Sequence, residues 1–138
     1  MNNKLLIVGT MAYDAIETPF GKVEKILGGA ATYIGLSASQ FLVDSAIISV
    51  VGEDFDMQHL QLLKEKNIDL SGVEIVKGGE TFFWSGKYTE DLNTRTTLET
   101  RLNVLENFNP IIPDQNRSPD IVVLGNLSPE VQIKALEQ

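Results

Sequence analysis

A carboxylate, Asp14, follows the apolar run Leu5-Leu6-Ile7-Val8-Gly9, and downstream the glycine pair Gly28-Gly29 opens onto Ala30-Ala31-Thr32-Tyr33-Ile34-Gly35. Each part has a definite chemical use. A carboxylate accepts hydrogen bonds from hydroxyl groups. Glycines let backbone approach a ligand closely, and the first N–H groups of a helix have no intrahelical partner. Together they suit a small polyhydroxylated molecule, with Asp14 as acceptor and the glycine backbone as donor. The same residues also suit a helix-start loop chosen for tight packing, with Asp14 capping a turn.

Other candidates are weaker. Asn126 ends the apolar run Asp120–Gly125, and open α/β sheets place ligands at such strand ends; a turn-forming role is the alternative. His59 sits among Gln58 and Gln61 and reads as a solvated helix residue; it is the chain's single histidine, so a metal site is not expected. Glu53 and Asp54 form an acidic pair better explained by helix capping than by a metal. Phe82, Phe83, Trp84 and Tyr88 suit stacking on a sugar or base, or packing. Arg95, Glu99 and Arg101 read as one solvated, salt-bridged strand face. A dinucleotide fingerprint is excluded, because no G-x-G-x-x-G turn follows Gly9.

The elements that must position these residues follow from pattern. Lys4–Gly9 and Ser45–Val51 are apolar runs too short for helices and read as buried strands. Ala15–Leu27, with Pro19 and Phe20-Gly21-Lys22 inside it, reads as a strand pair joined by a hairpin. A helix from about Ala30 to Leu42 places Ala31, Gly35, Ala38 and Leu42 on one close-packing face. Asp54 or Asp56 caps a second helix running to about Lys66, with Leu60 and Leu63 inward and Asn67 at its end. Two successive βα units point to a parallel sheet covered by helices.

The pattern then turns to β structure. Thr81–Tyr88 is aromatic and β-prone. Arg95–Leu105 alternates, with Thr96, Leu98, Thr100, Leu102 and Val104 on one side, as in a half-buried antiparallel strand. These segments read as a flap standing off the main sheet, joined through Thr89–Asn93. Asp120–Gly125 returns as a third buried strand, and Ser128 with Pro129 opens a last helix.

With 138 residues, 43% of them hydrophobic, the chain has single-domain size and enough apolar content for a core. A net charge of −8 argues against a nucleic-acid partner. The absence of cysteine excludes disulfides, thiolate metal sites and a cysteine nucleophile, and fits a reducing cytosol. No apolar run approaches the ~20 residues of a membrane span. A cytoplasmic, soluble protein is expected.

The opening strand with Asp14, the Gly28-Gly29 loop, Val51-Gly52-Glu53-Asp54-Phe55, Asn67-Ile68-Asp69 and the β flap, in this order, resemble the amino-terminal half of the ribokinase-like (PfkB) carbohydrate kinases. The similarity spans essentially the whole chain. Thr81–Tyr88 with Leu92-Asn93-Thr94-Arg95 resembles a sugar-kinase branch of that family. The resemblance implies a three-layer α/β sandwich with a mostly parallel sheet and a small β-sheet lid, formed by strands near 15–27 and 81–105. It implies transfer of the ATP γ-phosphoryl group to a sugar hydroxyl, with Mg2+, and pairing of lids into a homodimer. Transferred residue by residue, Asp14 binds sugar hydroxyls and Gly28 and Gly29 line the sugar site. Where the family usually has an asparagine at the helix start, this chain has Tyr33, beside Thr32. Asn126 completes the candidate substrate set. The family's glycine-rich motif with its catalytic aspartate is absent from Met1–Gln138, so the general base and most nucleotide contacts are expected in a missing carboxy-terminal half. The expectation is therefore a fragment that binds sugar and lacks turnover. The alternatives are a nucleoside kinase of the same superfamily and a non-catalytic sugar-binding or subunit-pairing module.

Overall fold

The structure is a computed structural model and describes residues 4–41 and 43–138. In chain order its elements are β1 (Lys4–Val8), β2 (Ala12–Thr18), β3 (Gly21–Gly28), α1 (Ala30–Ala38), β4 (Asp44–Gly52), α2 (Met57–Glu65), β5 (Ile68–Val76), β6 (Phe83–Tyr88), β7 (Arg95–Arg101), β8 (Ile121–Leu124) and α3 (Pro129–Leu136). They form two four-stranded sheets, ordered β5-β4-β1-β8 and β3-β2-β6-β7. The first sheet is parallel throughout.

β4 anchors that sheet because its residues from Ser45 onward are all buried, and alternation sends its side chains into two cores. Ile47 and Val51 join Ile7, Ala31, Leu60 and Leu63 on the side of α1 and α2. Ala46, Ile48 and Val50 join Leu6, Val8, Phe108, Ile112 and Ala135 on the other. Burying each of these valine, leucine, isoleucine and phenylalanine side chains is worth about 1.5–3 kcal/mol. At Gly35, α1 lies so close to the sheet that a Cβ would be 3.1 Å from Ile47 Cδ1 and 3.2 Å from Ile68 Cδ1. Ala31 and Gly35 thus pack as their spacing implied, but α1 ends at Ala38, followed by a 3-10 turn over Ser39–Phe41, short of the expected end near Leu42, which lies outside the described residues.

Helix boundaries follow local chemistry. Asp56, not Asp54, caps α2, its Oδ1 accepting from the Gln58 N–H at 2.8 Å. Asn67 ends it in the left-handed conformation at φ 59°. Ser128 caps α3, with Pro129 in its first turn.

The second sheet mixes orientations: β2 pairs antiparallel with β3 and parallel with β6, and β6 pairs antiparallel with β7. The β2–β3 turn is fastened by Thr18, whose Oγ1 accepts from the Phe20 N–H and donates to the Gly21 carbonyl. Asp91 organises the β6–β7 turn by accepting from Thr89 Oγ1 at 2.6 Å and the Asn93 N–H at 3.1 Å.

Four departures from the sequence expectation have physical causes. β2 begins at Ala12, so Asp14 is a strand residue and not part of a turn. β5 went unforeseen because Asp69, Ser71 and Glu74 interrupt its apolar run; Asn116 Nδ2 bonds Asp69 at 2.9 Å and Gln115 Nε2 bonds Ser71 at 3.0 Å. β8 is not fully buried: among the described residues it pairs only with β1, and Ile121 and Val122 are exposed. β7 has no buried residue at all. It also carries a bulge, since Ser85 pairs with Glu99 and Gly86 with Thr97, leaving Leu98 unopposed. The strand ends at Arg101, and Asn103–Asn107 forms a 3-10 helix that turns Val104 and Leu105 into the second core.

Candidate functional site

β2 presents Asp14 just before a register shift against β3. Its carboxylate is half-buried and, among the described residues, has no hydrogen-bond or ion-pair partner. Burial pushes its pKa above the ordinary carboxylate value. No group among the described residues compensates that cost.

The glycine pair is explained by this carboxylate and by the end of β1. Gly28 pairs with Ala12, and a Cβ on it would overlap the Asp14 carboxylate. Gly29 has φ 95°, and a Cβ there would overlap the Thr10 carbonyl oxygen. The close approach demanded of these glycines is thus to the protein's own groups.

Thr10 ties the site together. Its hydroxyl accepts from the Ala30 N–H at 3.2 Å and donates to Asn126 Oδ1 at 2.8 Å. Its carbonyl accepts from the Ala31 N–H at 2.9 Å. Two first-turn amides of α1, expected to be free for a ligand, are therefore already used. In return, Thr10 joins the end of β1, the start of α1 and the exit of β8. With its oxygen engaged, Asn126 keeps its amide nitrogen free of partners among the described residues. Thr10 escaped the sequence reading because a hydroxyl residue after a buried strand is common; its place directly after Gly9 was the available signal.

Asp14, Gly28, Gly29 and Asn126 thus gather around the carboxyl end of β1. Tyr33 sits at the rim, 56% exposed, and its hydroxyl donates to the Leu27 carbonyl at 2.8 Å. That bond holds the phenol against β3.

On the opposite face of β2, Tyr13 packs into the core, 5.3 Å from the Phe55 ring, and its hydroxyl accepts from the Asp56 N–H at 2.8 Å. Burial raises its pKa. His59 is not a freely solvated residue: it is half-buried against Tyr13 and Phe55. Glu53 and Asp54 do not cap α2. Glu53 accepts from the Gly78 N–H at 3.0 Å, and Asp54 from the N–H and hydroxyl of Thr81 at 2.8 and 2.7 Å. They fasten the β4 exit to the segment leading into β6. Among the described residues no group of three or more His, Asp or Glu is placed to hold a metal, and no helix is long and apolar enough to cross a membrane.

The β7 bulge also separates the arginines. Glu99 and Arg101 share a face and pair at 3.2 Å, with the Arg101 guanidinium 4.3 Å from the Phe83 ring centre. Arg95 lies on the other face, 5.9 Å from the Trp84 ring.

No protein-family model matches the chain. A cytidine kinase of Thermococcus kodakarensis is 27% identical over 135 residues, 97% of this chain and 47% of that protein. A nucleoside kinase of Methanocaldococcus jannaschii, described as an archaeal member of the ribokinase family, superposes with TM-score 0.77 at 24% identity, covering 99% of this chain and 48% of that one. An Arabidopsis thaliana ribokinase in complex with ribose and ATP gives TM-score 0.73 at 16% identity, covering 99% and 50%. The chain spans about half the length of these relatives. Its two sheets and their helices therefore have the fold of one half of a ribokinase-like kinase.

Proposed function

We propose that this chain supplies the acceptor-binding and lid portion of an ATP-dependent kinase that phosphorylates a hydroxyl of a sugar or nucleoside. The observation that carries the reading is Asp14: a half-buried carboxylate without hydrogen-bond partner or counter-ion among the described residues, kept in place by a glycine that leaves it room. A buried acceptor left unmatched costs stability, and substrate hydroxyls are donors that would repay it. Asn126, its amide oxygen held by Thr10 and its amide nitrogen without a partner among the described residues, adds donors at the carboxyl end of β1. Gly28, Gly29 and Tyr33 complete the set: Gly28 lies against Asp14, Gly29 against Thr10, and Tyr33 at the rim.

A nucleoside acceptor is the narrower reading, favoured by the 27% identity to a cytidine kinase across nearly the whole chain. The second sheet is the lid, and its exposed β7 is the surface on which a second copy would pair. ATP with Mg2+ supplies the phosphoryl group in the complete enzyme. Phosphoryl transfer needs a positioned base and charge stabilisation around the moving group. No residue here is assigned to the base, the nucleotide or Mg2+. Those functions belong to a carboxy-terminal half, and the enzyme works in the cytoplasm.

The test is coupled ADP release by the product of the uninterrupted reading frame, offered D-ribose, cytidine and inosine. Acceptor-dependent turnover that collapses in Asp14→Ala is expected, together with no turnover by the 138-residue chain alone. Acceptor-dependent ADP release by this chain, free of contaminating kinase, would overturn the division of labour.

A further inference from the structure

We infer that Trp84 is a stacking platform for a planar ring, and that the acceptor is a nucleoside whose base lies on it. The inference rests on the reading of Asp14 as the ligand of the acceptor's hydroxyls.

The strand register provides the placement. Asp14 pairs with Trp84 and Ile16 with Gly86 across β2 and β6, while Trp84 pairs with Thr100 and Gly86 with Thr97 across β6 and β7. Residues directly paired across strands project to the same face. Trp84 therefore stands beside Asp14, on the face opposite Tyr13 and Phe83. Those two take the packing role: Tyr13 belongs to the first core and Phe83 packs against it. Trp84 belongs to neither core and is only half-buried.

The indole is also deliberately seated. Its six-membered ring lies over Gly86, where any Cβ would overlap Cη2. A glycine in a strand interior weakens the strand, so its use here calls for a reason, and the ring above it is that reason. The indole N–H is directed to Thr97 Oγ1 at 3.3 Å, which ties the ring toward β7. The result is an aromatic surface supported from below, with the Arg95 guanidinium 5.9 Å from the ring centre, next to a carboxylate that has no donor among the described residues. A molecule matching both has hydroxyls at one end and a flat ring at the other. A nucleoside has that shape; a free pentose covers less of the indole than a planar base does. Stacking of a base on an aromatic side chain is sequence-tolerant and contributes roughly tenfold or more in affinity.

Because Trp84 is the chain's single tryptophan, its emission reports on this site alone. The chain is titrated with cytidine and with D-ribose, following fluorescence and calorimetric heat. Cytidine is expected to quench Trp84 and to bind at least fivefold tighter than D-ribose. Trp84→Leu should abolish that advantage while D-ribose affinity stays within about twofold, and Trp84→Phe should keep most of it. If Trp84→Leu weakens both compounds equally, or leaves cytidine's advantage intact, the platform is wrong while the sugar site stands. If neither compound binds in a manner sensitive to Asp14→Ala, both the substrate site and the platform fall.

Discussion

β4 and β7 are the extremes of this molecule. From Ser45 to Gly52 every residue of β4 is buried, whereas no residue of β7 is. β4 is flanked on both edges, by β1 and β5, and covered on both faces by the two cores. β7 has one neighbour, β6, and among the described residues nothing lies over it. One strand is enclosed on both edges and both faces, and the other is left open among the described residues. Elements that bind or move are drawn from the less stable parts of a fold, and the lid role proposed for the sheet of β7 accords with that.

The contrast can be broken by mutation. Ile47→Ala in β4 should cost about 2–5 kcal/mol, because the cavity it leaves has nowhere to collapse. Thr96→Ala in β7 should stay within about 0.5 kcal/mol. Urea unfolding of the two variants checks both values, and similar costs would erase the distinction.

The glycine loop behaves as core despite its polar surroundings. Gly29→Ala meets both a φ of 95° and the Thr10 carbonyl. It should destabilise by about 2–4 kcal/mol, measured the same way. A neutral result would contradict the tight closure of β3 onto the end of β1.

Asp14 should show the opposite sign. Its folded pKa is raised by burial, so the folded protein holds its proton more tightly than the unfolded chain. The associated stability is present below the unfolded value of 3.8 and is lost as pH rises through the folded value. Asp14→Asn should therefore raise Tm at pH 7 by about 1–3 °C, discounted for partial exposure, and the gain should vanish on acidification. A lowered Tm at pH 7 would reveal a stabilising partner for the carboxylate.

Leu98→Asp is the mildest change to the isolated fold, within about 0.5 kcal/mol, since Leu98 is an unopposed, exposed bulge residue. Its effect should appear in self-association measured by sedimentation, where an introduced charge disfavours covering β7 with a second copy. Unchanged association would remove β7 from the pairing surface.

The parallel sheet was legible because buried strands are written as near-continuous apolar runs, as in Leu5–Val8 and in Ala46–Val51, where Ser49 is the single polar residue. β5 was not, because Asp69 and Ser71 spend their polarity on Asn116 and Gln115 from a distant loop. The alternation of Arg95–Leu105 misled for a subtler reason. Periodicity reports the strand a sequence is built for, and one bulged residue at Leu98 moves Thr97 and Arg95 to the Trp84 face. At the site, Asp14 and the glycine pair were legible from residue type and order. Thr10 was not, because its significance lies in three hydrogen bonds to residues remote in sequence.

The central claim is that Asp14 waits for donors from a substrate. Calorimetric titration of the chain with cytidine, compared between the native protein and Asp14→Ala, tests it most directly. Loss of hydrogen bonds to a charged acceptor is worth about 1.5–3 kcal/mol, so affinity should fall roughly ten- to hundredfold while the fold is retained. An unchanged dissociation constant would contradict the account.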